Sequence, residues 1–132
     1  MVFISKIQIN HLAVHVSSLS RSVEFYSRVM GLHQTEEPFR DGLHTWFDMG
    51  EKSTLHLIEE LELSPPMEKS KTNHLCFSVS DFDSFIQNLQ NQGCSFENWA
   101  GEKGVINVRP DGIRQIFFQD PDGYWLEVND DC

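Results

Sequence analysis

The tripeptide Asn-His-Leu occurs twice, at residues 10–12 and 73–75, and each copy opens a stretch of the same pattern. NHLAVHVSSLSRSVEFY aligns without a gap on NHLCFSVSDFDSFIQNL at an offset of 63 positions. FDMGEKSTLHLIE, from Phe47, aligns on FQDPDGYWLEVND, from Phe118, at an offset of 71. The second copy therefore carries about eight additional residues between the two blocks. Self-similarity at a fixed period marks a duplicated structural unit that cannot bury its apolar face alone. The alignment sets His11 against His74 and His56 against Glu127, which places four metal-competent side chains at equivalent positions in two copies.

Each copy reads as β-α-β-β-β. Between Ile7 and Val16 the pattern has period two, with Ile7, Ile9, His11, Ala13 and His15 on one face and Leu12, Val14 and Val16 on the other. Ser17 or Ser18 caps a helix whose stripe is Leu19, Val23, Tyr26 and Met30, ended by Gly31. Residues 32–37 form a weak strand, and 43–49 and 53–59 form two strands joined by a Gly-Glu-Lys turn. The second copy gives a strand over 73–79, with Cys76 expected inside. A helix follows with stripe Phe82, Phe85, Ile86 and Leu89, then short strands over 95–99 and 105–108, and a hairpin of 113–119 and 124–129 around Asp-Pro-Asp-Gly. The additional residues fit the 100–112 region.

The expected architecture is α+β, one domain over 1–132. Module 1 spans about 5–60, an extended Pro-containing linker 61–72, and module 2 spans 73–130. In each copy the apolar face of the first strand suits the helix that follows. The two modules should thus form cupped mixed sheets with helices outside and with His11, His56, His74 and Glu127 on the concave side.

A chain of 132 residues can bury a core, whereas one copy of roughly 60 residues is marginal. The net charge of −10 argues against nucleic acid and anionic membranes as partners. No stretch approaches the ~20 apolar residues of a membrane span, and the first residues do not read as a signal peptide, so a cytoplasmic location is expected. Three widely spaced cysteines without a CxxC read as reduced thiols.

These motifs resemble the vicinal oxygen chelate family, which includes glyoxalase I, extradiol dioxygenases, fosfomycin-resistance proteins and bleomycin-binding proteins. NHLAVHVSSLSRSVEFYSRVMGL is similar to the family's opening strand and helix, NHLCFSV to its fifth strand, and FFQDPDGYWLEV to its closing hairpin. The resemblance implies paired βαβββ modules, a homodimer, a small-molecule substrate and one divalent transition metal: Zn, Ni, Co, Mn or Fe. Carried over by position, it implies His11, His74 and Glu127 as metal ligands. His56 stands where glyoxalase I usually has a glutamate, and is a fourth ligand or a neutral base beside the metal.

Two imidazoles and a carboxylate with open positions suit those ions and a substrate bound through adjacent oxygens. Glu127 is the expected proton carrier, with His56 the other catalytic candidate. His15, His44, Trp46, Arg114 and Phe117 are expected to line the substrate pocket, with Gln115 and Gln119 on the face of Phe117 and with Arg40 and Arg109 as further anion-binding candidates. The resemblance favours a glyoxalase I-like lyase or isomerase, acting on a hydroxy-carbonyl or thiol-adduct substrate through an enediolate held at the metal. An Fe(II) ring-cleaving dioxygenase and a non-enzymic bleomycin-type binding protein are the alternatives. Thiol transfer to fosfomycin ranks low, because thiol-transferring members carry Thr where this chain has Ala13.

Overall fold

The computed structural model describes residues 5–61 and 69–132. Residues 1–4, and 62–68 in the middle of the expected linker, lie outside the described residues. The chain divides into two compact units, Met1–Glu62 and Leu63–Cys132.

In unit 1 the first strand, β1, is His11–Val16. It is shorter than its alternation suggested: Ile7 and Ile9 are exposed and precede the strand, and pairing begins where the backbone N–H of Thr54 donates to the Asn10 carbonyl. Helix α1 (Leu19–Glu24) starts at Ser18, whose Oγ accepts from the Arg21 N–H, while the Glu59 carboxylate accepts from the Leu19 N–H. An acceptor and a negative charge at this end satisfy the free amides of the first turn. The helix then widens into a π turn over Phe25–Val29, and the Met30 N–H reaches back to the Phe25 carbonyl. The wider turn rotates Phe25 and Val29 onto the buried side with Tyr26 and Met30. Leu19 and Val23, expected in the stripe, are only half-buried. Gly31, at φ +72°, ends the element.

Strands β2 (Gln34–Thr35), β3 (His44–Asp48) and β4 (Thr54–Glu59) complete a four-stranded sheet in the order β1-β4-β3-β2. β1 runs parallel to β4, and the other pairs are antiparallel. Val16, Phe47, Leu55 and Leu57 are fully buried on the helix side. The period of two therefore turns His11, Trp46 and His56 to the opposite face.

Unit 2 repeats the plan. Strand β5 (His74–Ser78) is followed by α2 (Phe82–Asn91), capped by Asp81, whose side chain accepts from the Ser84 N–H. Strands β6 (Asn107–Val108), β7 (Arg114–Gln119) and β8 (Trp125–Asn129) give the order β5-β8-β7-β6. Leu89, Ile116, Phe118, Leu126 and Val128 form the core, and Phe85 packs against Phe118. The residues expected as a strand over 95–99 make single bridges instead, from Glu97 to Phe117 and to Lys103. The edge beside β7 is thus shared by Glu97 and β6, and the additional residues loop out between them. Two four-stranded mixed sheets, each carrying a helix, agree with the expected α+β class. No described helix is long and apolar enough to cross a membrane.

Candidate metal and substrate site

Strand register builds two half-sites, one in each unit. In unit 1, Ala13 and Trp46 flank His56 across the sheet, and His11 opens β1 opposite Thr54. The rings stack into a column: Trp46 lies on His56 at 3.9 Å and 2°, and His56 on His11 at 4.2 Å and 7°. His11 Nδ1 lies 2.7 Å from Asn10 Oδ1, and His56 Nε2 lies 2.8 Å from Thr54 Oγ1. Each ring is therefore held by one nitrogen and can offer the other. Burial, followed by the neighbouring His11 and His44, holds His56 below the ordinary imidazole value, so its lone pair is available at neutral pH.

In unit 2, His74 Nε2 lies 3.1 Å from Glu127 Oε1. The other nitrogen, Nδ1, must donate to the Lys71 carbonyl, 2.8 Å away, because a carbonyl only accepts. Gln115 Nε2 and Asn129 Nδ2 donate to Glu127 Oε2 at 3.0 and 3.1 Å. Burial pushes the Glu127 carboxyl up. The hydrogen bonds from Gln115, Cys76 and Asn129, together with the charge interaction with His74, outweigh that effect and keep it below the usual glutamate value. Phe117 and Trp99 stand edge-on to His74, at 5.7 and 6.4 Å between centroids.

The pairing of His11 with His56, and of His74 with Glu127, matches the duplicated pattern. Among the described residues, no three His, Cys, Asp or Glu side chains are arranged to hold an ion; the donors stand as two pairs, each within its own unit.

Three of the other expected pocket residues are held by acidic partners. Arg114 is bound through Nε to Asp130 and through Nη1 to Asp83, and lies over the Phe82 ring on the helix side. Period two along β7 already separates it from Phe117, so the expectation that it lines the pocket is corrected. His15 is exposed and reaches Glu60 at 3.3 Å, beyond the ring column. His44 is held by Asp41 at 2.9 Å and lies against Phe39 rather than in the stack. Arg109 is paired with Asp111, and Arg40 is exposed, at φ +52°. Cys76, expected inside, is an exposed residue whose thiol alone turns in, accepting from Asn129 Nδ2. Burial, with Glu127 beside it, pushes that thiol up to about 12.

Asn129, Thr54, Asn10 and the Lys71 carbonyl were not among the expected site groups. Asn129 could have been found from its register, two residues beyond Glu127 on the same face; the Lys71 carbonyl has no sequence signal.

The model of the Glyoxalase/Bleomycin resistance protein/Dioxygenase superfamily matches residues 8–128. "Glyoxylase I 4" of Arabidopsis thaliana is 27% identical over 124 residues, covering 91% of this chain and 68% of its own. "Metallothiol transferase FosB" of Staphylococcus haemolyticus is 29% identical over 129 residues, covering 92% and 81%. The crystal structure of a glyoxalase/dioxygenase from Nostoc punctiforme superimposes with a TM-score of 0.76 at 27% identity, covering 92% of this chain and 89% of that one. A match over nearly the whole length, two copies of one β-α-β-β-β unit, and a pair of donor side chains in each copy lead to one conclusion: this chain belongs to the Glyoxalase/Bleomycin resistance protein/Dioxygenase superfamily.

Proposed function

We propose that the protein is a metal-dependent lyase or isomerase of the glyoxalase I type, acting on a small hydroxy-carbonyl compound or its thiol adduct. One observation carries the reading. Nδ1 of His74 donates to the Lys71 carbonyl, which sets Nε2 against the carboxylate oxygen of Glu127, 3.1 Å away. A histidine and a carboxylate this close, each with fixed outer partners, are a fitting donor pair for a divalent transition ion once Nε2 carries no proton. His11 and His56, each held by one nitrogen, would complete the set. When bound, such an ion supplies Lewis acidity to adjacent substrate oxygens.

The chain's own groups supply the rest. Gln115 and Asn129 hold Glu127 Oε2, which leaves Oε1, the oxygen beside His74, either to ligate or to take and return a substrate proton. Phe117 and Trp99 wall one side of His74 with apolar surface and limit the access of water there. His56, held neutral and clamped between two rings, either ligates or accepts a proton without reorienting. We read the working form as a homodimer, supported by strands β1 and β5, each of which forms one edge of its sheet among the described residues.

The metallothiol transferase relative keeps thiol transfer as a second reading. It ranks lower, because Ala13 stands beside His56 in register and offers no hydroxyl.

Metal analysis after reconstitution with Zn²⁺, Ni²⁺, Co²⁺ or Mn²⁺ tests the proposal. About one ion per four donors is expected, and none in the His11→Ala/His74→Ala variant. The hemithioacetal of methylglyoxal should turn over, and Glu127→Gln should lose turnover while retaining the ion. Absence of a stoichiometric ion under every condition would favour a non-enzymic binding protein.

A further inference from the structure

His74 is oriented from outside its own strand. Its Nδ1–H donates to the carbonyl of Lys71, the second residue of a polar turn in which the Asn73 N–H bonds to the Ser70 carbonyl at 2.9 Å. That turn carries no apolar side chain to anchor it. Its position is set by the Lys71 side chain, which reaches 26 residues ahead. The ammonium donates to a Glu97 carboxylate oxygen and to the carbonyls of Asn98, at 3.1 Å, and Trp99, at 3.3 Å. It lies 4.8 Å from the centroid of the Trp125 ring and 5.8 Å from that of Phe117. Its three protons thus have three oxygen acceptors, and the side chain is only 15% exposed. Two residues earlier, Lys69 donates to the Asp122 carbonyl and covers the Tyr124 ring, a second staple on the same segment.

Glu97 is itself a fixed point. Its backbone exchanges both hydrogen bonds with Phe117 on β7, at 2.8 and 2.9 Å. Its second carboxylate oxygen accepts from Lys103 at 2.7 Å. Phe117 is the register partner of Glu127. The strand that supports Glu127 thereby also fixes the turn that aims His74.

We infer that Lys71 and Glu97 form a positioning latch, which fixes the Lys71 carbonyl and so selects the tautomer and rotation of His74 that present Nε2 to Glu127. Burying an ammonium–carboxylate pair carries a desolvation cost and is weak evidence for a stabilising role. Here the pair has a geometric consequence: it sets one carbonyl oxygen relative to β7. Partners that orient a ligating histidine commonly change metal affinity roughly 10- to 100-fold when removed. That consequence rests on the metal reading above, whereas the choice of tautomer does not.

The experiment records ¹⁵N NMR of the His74 ring in metal-free protein at about pH 8.5, above the ordinary imidazole range, and titrates each variant with Zn²⁺. Wild type is expected to show one tautomer, protonated at Nδ1. Lys71→Met should give a mixture and weaken Zn²⁺ binding about 10- to 100-fold. The Lys71→Met/Glu97→Gln double variant, in which no carboxylate is left short of a partner, should behave the same way. Glu97→Asp keeps the charge but shortens the arm, and should shift the populations in the same direction. Lys103→Met, which removes only the exposed partner of Glu97, should leave both readouts unchanged. A single Nδ1–H tautomer with wild-type Zn²⁺ affinity in the Lys71 and Glu97→Asp variants overturns the latch and leaves the metal reading standing. A tautomer change in a protein that binds no Zn²⁺ even as wild type overturns the metal reading and leaves the latch.

Discussion

At the scale of single residues, the histidines differ in what occupies their second nitrogen. A backbone carbonyl fixes His74 as an Nδ1 donor. Asn10 holds His11 and Thr54 holds His56, while His15 and His44 face the carboxylates of Glu60 and Asp41. His74 differs from these in having both nitrogens set against acceptors, the Lys71 carbonyl and the Glu127 carboxylate. Glu97 shows the same economy of partners among the acids. The hydrogen bonds from Lys103 and Lys71 hold its carboxyl below the ordinary value of 4.5. A depressed folded-state value means that the stabilisation is fully present above the unfolded value and is lost as pH falls through the folded one. Glu97→Gln is therefore expected to lower the melting temperature most above about pH 4.5. The gap to wild type should close on further acidification, as followed by circular dichroism from neutral pH downward. A gap that stays constant across that window would show that the carboxylate's charge contributes nothing.

At the scale of elements, the two helices show how far identical strand patterns can diverge. Helix α2 runs regularly from its Asp81 cap, whereas α1 opens into a π turn at Phe25. Just before that turn, the fully buried Ser22 hydroxyl has no hydrogen-bond partner among the described residues. An unsatisfied buried hydroxyl costs about 1–3 kcal/mol. Ser22→Ala should therefore raise stability by about 1 kcal/mol and the melting temperature by a few degrees, measured by thermal unfolding; a loss of stability would mean that the hydroxyl is satisfied in solution. The strands were legible because a period of two in Val, Leu, Ile and His positions is a physical consequence of the pleat, and the repeat selected four donors from six histidines and twenty acids. The same parity places Arg114 opposite Phe117, so that error lay in weighing charge above alternation. The π turn left no trace in an apolar stripe that also fits an ordinary helix. The latch from Lys71 to Glu97 joins residues 26 apart through one side chain, and local periodicity carries no information about such a contact.

At the scale of the whole molecule, the question is which copies of the two half-sites meet on one ion. Residues 11–13 are exposed in the single chain, as are His74 and Cys76, and β1 and β5 are edge strands. In the homodimer proposed above, unit 1 of one chain would face unit 2 of the other. Complementation distinguishes this from a site closed within one chain. One variant, His11→Ala/His56→Ala, lacks the unit 1 donors; the other, His74→Ala/Glu127→Gln, lacks most of the unit 2 donors. Neither should bind Zn²⁺ tightly by itself. Co-refolded in equal amounts, they form mixed dimers for about half of the population, and each mixed dimer joins one intact unit 1 to one intact unit 2 at one of its two sites. Recovery of about a quarter of the wild-type Zn²⁺ capacity is therefore expected, from the statistics of a twofold assembly. If the donors instead meet within a chain, every site in the mixture keeps one damaged half and no capacity returns, because exchange of subunits cannot separate two units of the same polypeptide.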